Sequence, residues 1–239
     1  MNFLSERLNI FKNVDREIVE GLSDQMVKIH TETNSLLFRE GDILDSIYMI
    51  QSGQYALFKL SESGDQRVIF TLGPGEILNY PEPRPRPISI SCRVIREGVI
   101  YKLEQKALSQ AMAKDPVLAL NTIDLYNLRM RRLYRQLKNS SGFVRLDKRI
   151  AAKLWKLSKD YPAPHPEGIA IDLKITMTFL AELIGASRES VSRSIKPLLD
   201  QRLVIQEKGY FIVPDRRREK NTSATSWTVP ALMSIRTGS

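Results

Sequence analysis

Apolar and polar positions along this chain change their spacing from one stretch to the next. Within residues 1–30, Leu4, Leu8 and Phe11, then Ile18, Val19, Leu22 and Met26, recur at helical intervals and predict helix. From about 35 to 103 the texture is shorter. The runs "SLLFREGD", "SIYMIQSG", "QYALFKLSESGD", "QRVIFTLGPGE" and "GVIYKL" are apolar-rich and cut by glycine-containing turns. Even spacing of this kind predicts antiparallel strands closed into a sandwich or barrel. "SESGDQ" reads as a hairpin tip, with Gly64 supplying a positive φ. "PEPRPRP", 81–87, reads as an extended loop, because proline has no N–H for an interior strand.

From 104 to about 139 the pattern is helical and long. Ala119, Ile123, Tyr126, Met130, Leu133 and Leu137 recur at intervals of 4, 3, 4, 3 and 4, the spacing of a coiled-coil seam. Leu118, Leu125 and Leu128 lie off that seam, where they would pack on the strand domain. Pro116 marks the start of the long helix and "NSSG", 139–142, a hinge-like break after it. The competing reading is a monomeric core helix. Arg129, Arg131, Arg132 and Arg135 favour the dimer, since they leave the remaining surface highly charged.

The last third is helical, then a hairpin. "DKRIAAKLWKLSKDY" carries Ile150, Leu154, Trp155 and Leu157 on its apolar face, and "APHPEGIAIDLK" leads into a short strand. "TMTFLAELIGAS" and "RESVSRSIKPLLDQR" are two short helices about Gly185, with Thr176 and Ser187 as their caps. In the second, Val191, Ile195 and Leu198 must face inward. Arg188, Glu189, Ser192, Arg193 and Lys196 then share a face roughly 130° away. This is the layout of a helix-turn-helix. Arginine donates a bidentate pair to guanine O6 and N7, and glutamate accepts from the cytosine amino group. Arg188, Glu189 and Arg193 are therefore candidate base readers, although Glu189 and Arg193 at i, i+4 could instead pair in solvent. Thr176, Thr178, Ser187, Ser190 and Lys196 suit phosphate contacts, as does Lys208 on a hairpin wing turning at Lys208–Gly209. Pro197 removes one helical bond and frees the carbonyl of Arg193.

Charge strengthens this picture. Among 239 residues, 36 Lys plus Arg against 27 Asp plus Glu leave a net charge of +9, which suits a polyanionic partner. Cys92 is the only cysteine, and His30 and His165 the only histidines, so neither a disulfide framework nor a cysteine-ligated zinc or iron–sulfur site is expected. Cys92 sits in the alternating run "ISISCRVI" and reads as a buried filler. The amino terminus lacks the apolar run of a secretory signal, and no stretch approaches the roughly 20 apolar residues of a membrane span. A cytoplasmic protein without membrane attachment is expected. There is no Ser/His/Asp set or phosphate-cradling loop, so no enzyme is expected; "GPGE" is a turn.

In order, strand domain, long helix, helix pair and hairpin, residues 10–213 resemble the Crp–Fnr family of bacterial transcription regulators. The resemblance is strongest over "TMTFLAELIGASRESVSRSIKPLLDQRLV", with "HPEG" upstream. It implies an α+β protein: an antiparallel β jelly-roll of cyclic-nucleotide-binding type over 1–115, a dimerisation helix and hinge over 116–145, and a winged helix-turn-helix over 146–214. A basic tail, 215–239, is expected to be mobile. It also implies a homodimer on double-stranded DNA, with RNA polymerase as a further partner. Arg188, Glu189 and Arg193 match the base-reading trio of the cyclic-AMP receptor branch, implying a TGTGA/TCACA palindrome with half-sites about one helical turn apart. Met177 departs, standing where that branch often has a phosphate-binding arginine.

The effector pocket departs further. The ribose-binding glutamate position falls on Tyr80, with Glu76 four residues early. The phosphate-binding arginine position falls on Ile88, followed by Ser89, with Arg84 and Arg86 nearby between prolines. The base-contacting pair of the long helix falls on Tyr134 and Arg135. Cyclic AMP is therefore disfavoured. Haem held by His30 or Cys92, an anionic metabolite at Arg84 and Arg86, or no effector at all stay open. Alternatives to an effector other than cyclic AMP are a cyclic-nucleotide-responsive regulatory subunit and a haem- or redox-sensing member of the family.

Overall fold

Strand pairing dominates the amino-terminal part of the protein. The computed structural model describes residues 8–62, 64–82, 84, 86–140 and 144–214, the side chains of 138–140 excepted. Leu4, part of the NSSG break and the tail from 215 lie outside the described residues. Proximity along the backbone divides the chain into two units. One extends to Arg145 and takes in Thr178–Ser190; the other comprises Leu146–Met177 and the chain from Val191 onward.

Among the described residues before 30, helix is shorter than the spacing predicts. A 3-10 turn, Asn9–Phe11, precedes α1, Arg16–Ser23, whose N-cap Asp15 accepts the Glu17 N–H at 2.8 Å. From Val27 the chain is strand. β1, Val27–Thr31, pairs antiparallel with Gly98–Lys102 of β5, Ser91–Glu104. The alternation of Val27, Ile29 and Thr31 suits that pairing better than a further helical turn. β2 is Leu36–Phe38, β3 Ser46–Leu60 and β4 Gln66–Leu72. The sheet order is β1-β5-β3-β4, with β2 also on β5.

Two runs predicted as separate strands are one in the structure. "SIYMIQSG" and "QYALFKL" form the 15-residue β3. Gly53, at φ 90°, is the site of a bulge and not a turn. Gly98 crosses beside it so closely that a Cβ there would lie 2.2 Å from the Ser52 carbonyl oxygen. Two glycines let the long strands bend together where side chains would collide. Gly64 does occupy a tip, with φ 82°. Inside the roll, Phe38, Ile50, Tyr55, Leu57, Leu72, Cys92 and Ile100 form one buried cluster. Cys92 is fully buried there, and that burial pushes its thiol pKa up.

Two helices follow the roll: α2, Gln105–Lys114, and α3, Pro116–Ser140. Asp115 between them acts three times. Its Oδ1 accepts the N–H groups of Val117 at 2.7 Å and Leu118 at 3.3 Å, capping α3 with Pro116 as first helical residue. Its Oδ2 accepts the Asp15 N–H at 2.9 Å. One carboxylate thus starts the long helix and ties it to the start of α1. Asn121 adds to this by donating to the carbonyls of Ile10 and Lys12. A second buried cluster gathers here: Leu8, Phe11, Val19, Leu22, Ile47 and Leu118 among its members.

In the second unit α4, Leu146–Asp160, buries Ile150, Leu154 and Leu157. Trp155, expected on the same face, is 40% exposed, and Lys159 lies over its ring at 5.6 Å. A four-stranded sheet runs β6-β7-β9-β8, from β6 Pro162–His165, β7 Gly168–Ile171, β8 Ile205–Glu207 and β9 Tyr210–Pro214. The sequence predicts a single strand in "APHPEGIAIDLK"; a hairpin forms. Its prolines, Pro162 and Pro164, are tolerated because β6 is an edge strand. Among the described residues, no helix is long and apolar enough to cross a membrane.

The backbone N–H of Asp15, foremost, and those of Val117 and Leu118 hold the Asp115 carboxyl below its ordinary range. A depressed carboxyl stabilises the fold above its unfolded value, about pH 3.9, and loses that contribution as pH falls through its folded value. Asp115→Ala should therefore lower the melting temperature at pH 7. Its difference from the parent should shrink in melts below pH 4.

Candidate DNA-reading helix and effector pocket

Thr176 precedes α5, Met177–Ile184, in the cap position. The helix closes on Gly185, whose φ of 69° suits the left-handed turn after a helix; the N–H groups of Gly185 and Ala186 both donate to the Ala181 carbonyl. α6 then runs Arg188–Asp200. Ser187 caps it, its Oγ accepting the Ser190 N–H at 3.2 Å and lying 2.9 Å from Ser190 Oγ. Val191, Ile195 and Leu198 are buried. Arg188, Glu189, Arg193 and Lys196 are exposed, with Ser192 half-buried. The solvent pairing open to Glu189 and Arg193 is not formed, and among the described residues neither makes an ion pair. Pro197 is accommodated inside α6, past the reading residues.

Thr176, Thr178 and Ser187 are exposed and Ser190 is half-buried beside its cap. Lys208 and Gly209 have φ of 49° and 86°, the double left-handed turn that joins β8 to β9 and leaves the Lys208 side chain exposed.

Within the first unit α3 buries one side and exposes another. Leu118, Thr122 and Arg129 are buried, with Leu125, Tyr126 and Gln136 half-buried in phase with them. Exposed apolar residues Leu120, Ile123, Met130, Tyr134 and Leu137, with exposed Asn127, lie at intervals of 3, 4, 3, 4 and 3; Val117 and Leu133 are exposed beside them, and so is Leu128, which the sequence places against the strand domain. Ile123, Met130 and Leu137 keep their expected places. Ala119 and Leu133 flank the stripe, and Tyr126 leaves it to stack on Tyr80, ring centroids 4.6 Å apart at 18°. Both Tyr134 and Arg135 are exposed, so neither faces the pocket as expected.

What faces the "GPGEILNY" segment is Tyr126, Arg129 and Arg132. The segment is docked on β3: Ile50 donates to the Glu76 carbonyl at 2.9 Å and Leu78 to the Tyr48 carbonyl at 2.8 Å. Asn79, buried, accepts from the Tyr48 N–H and donates to the Ser46 carbonyl. Arg129 is only 4% exposed. It donates Nη1 to the Leu78 carbonyl at 3.3 Å and Nη2 to the Ile77 carbonyl. Its guanidinium carbon lies 4.7 Å from the Tyr80 ring centre and 5.8 Å from that of Phe70. Tyr126 donates its hydroxyl to the Pro81 carbonyl. Glu76 Oε1 pairs with Arg132 at 2.7 Å, and its Oε2 accepts the Gly73 N–H.

Among the described residues, no hydrogen bond or ion pair joins the other pocket candidates to this cluster. Arg84 and Arg86 are exposed. Ile88 is half-buried against the roll's core, its N–H and carbonyl bonded to Asp42 and Gly41. Ser89 is exposed and its carbonyl accepts from Lys59. His30 is exposed on β1. No group of three or more His, Cys, Asp or Glu side chains able to hold a metal occurs among the described residues.

A β-roll, a long helix and a helix-turn-helix in one chain are the architecture of a transcription regulator. Comparison gives the particular family. Residues 28–115 match the cyclic nucleotide-binding domain and 148–218 the Crp-like helix-turn-helix domain. The chain belongs to the Crp–Fnr family of transcription regulators. It is 23% identical to the CRP-like cAMP-activated global transcriptional regulator of Mycobacterium tuberculosis (strain H37Rv), over 91% of this chain and 97% of that one. It is 26% identical to the anaerobic regulatory protein of Bacillus subtilis (strain 168), over 90% and 92%. Among solved structures, the c-di-GMP responsive global regulator CLP of Xanthomonas campestris aligns with TM-score 0.73 at 20% identity. The alignment covers 84% of this chain and all of that one. FixK2 from Bradyrhizobium japonicum aligns with TM-score 0.71 at 16% identity, covering 84% and 99%.

Burial foremost, with Glu82 and Tyr80 nearby, raises the Tyr126 pKa to about 12, against the opposing pull of Arg129. A raised phenol favours the fold below its unfolded value, about pH 10, and loses that contribution as pH climbs through the folded value. Urea denaturation followed from pH 9 to 12 should show stability falling, and Tyr126→Phe should flatten that fall.

Proposed function

We propose that this protein is a homodimeric, sequence-specific DNA-binding transcription regulator of the cytoplasm. In this reading its two recognition helices take a TGTGA/TCACA palindrome with half-sites about one helical turn apart, and RNA polymerase is the partner at the promoter. The observation that carries the reading is α6 itself. A Ser187-capped helix presents Arg188, Glu189 and Arg193 exposed, while its apolar face is buried. Charged side chains left without ion-pair partners are ready to meet base edges without first breaking a salt bridge. Ser187, Lys196 and the wing's Lys208 supply phosphate contacts that set register.

Dimerisation is supported by the stripe on α3. Six positions at heptad intervals, with Asn127 at one polar site, match a two-stranded coiled coil whose register a single buried polar residue selects. The mycobacterial relative's name specifies cAMP activation. Here Tyr80 and Ile88 stand at the expected ribose and phosphate positions, so the effector is one other than cyclic AMP, or none.

Arg188→Ala should weaken binding to the cognate palindrome roughly 5- to 150-fold, equivalent to about 1–3 kcal/mol, and relax discrimination at one guanine. Lys196→Ala should weaken all duplexes alike and lower the slope of log K against log salt by about one. Mobility shifts on cognate and random duplexes at several salt concentrations check both; equal loss on both duplexes from Arg188→Ala would remove the base-reading assignment. The double change Ile123→Glu/Met130→Glu should give monomers in sedimentation velocity.

A further inference from the structure

The Arg129 cluster is built like a ligand site with its ligand already covalently attached. Four positions along α3 engage the roll: Tyr126 at the Pro81 carbonyl, Arg129 at Ile77 and Leu78, the exposed Arg132 at Glu76, and Gln136 at the Ile69 carbonyl, 2.7 Å. Three of the four close on one short segment, 76–81. The central member is a charge, 4% exposed, whose guanidinium is met by two backbone carbonyls and two aromatic faces. Glu76, the nearby carboxylate, is bonded to Arg132 instead. A buried guanidinium is stable only while its acceptors stay in place. Arg129 thus favours a seated α3 in the way a bound effector favours one of two states.

A small molecule entering between this segment and α3 would have to break the Tyr80–Tyr126 stack and take Arg129 from its carbonyls. We propose that Arg129, with Tyr80 and Tyr126, is a tethered substitute for an effector. It holds the long helix against the roll without any small molecule and makes DNA binding independent of one. The proposal rests on the DNA-binding reading above and assigns its regulation.

The test uses full-length protein, as purified and after unfolding, dialysis and refolding to strip small molecules, on a duplex selected from a random pool. Stripped protein is expected to bind within twofold of the purified form, and millimolar cyclic AMP to shift the apparent Kd by less than twofold. Arg129→Met, with parental dimerisation and circular dichroism, is expected to lose at least tenfold in affinity for the selected duplex. Arg129→Lys should recover part of that loss.

Restored binding on adding back a small-molecule extract to inactive stripped protein would overturn the tether and leave the DNA-binding reading standing. Parental affinity in Arg129→Met would also overturn it. Binding by neither form to any duplex would overturn both. Should Arg129→Met fail to fold, the comparison of stripped and purified parent decides alone.

Discussion

A buried guanidinium sets the geometry of the first unit. Arg129 donates to the carbonyls of Ile77 and Leu78, and those acceptors favour one rotation of the long helix about its axis. That rotation carries Tyr126, Arg132 and Gln136 to the roll. It turns Leu120, Ile123, Asn127, Met130, Tyr134 and Leu137 outward. At the other end Asp115 fixes where the same helix begins and joins it to α1. Phase and starting point together decide which side chains are left for a partner.

The reader is organised by different means. α6 needs no buried charge to hold it. A serine cap, a glycine turn and three buried apolar residues place its polar face, and the reading side chains remain uncommitted. Sensor and reader therefore divide their polar chemistry. In the roll, charged and aromatic groups satisfy one another; on α6 Arg188, Glu189 and Arg193 are exposed.

Much of the reader was legible in the sequence because its signals are local. Ser187 as cap, Gly185 as turn and Lys208–Gly209 as hairpin tip each depend on residues a few positions away. The roll was legible as strands and less so as connections. Gly53 looks like a turn residue in isolation, and only Gly98, forty-five positions on, makes it a bulge in a continuous strand. Arg129 was missed for a similar reason. Its phase with Leu118 and Leu125 was visible in the chain, yet an arginine reads as surface until two free carbonyls are brought against it.

The sequence by itself determined the order of parts and the polar face of α6 with its base-reading candidates, which follow from residue type and short-range periodicity; that Tyr80 and Ile88 stand at the cyclic-nucleotide positions is an expectation from the resemblance. Tertiary structure decided the rotation of α3, and with it that Tyr126 stacks on Tyr80 while Tyr134 and Arg135 face solvent. Two heptad phases one residue apart share Ile123, Met130 and Leu137, so spacing alone cannot choose between them. The cost of burying a charge without acceptors does.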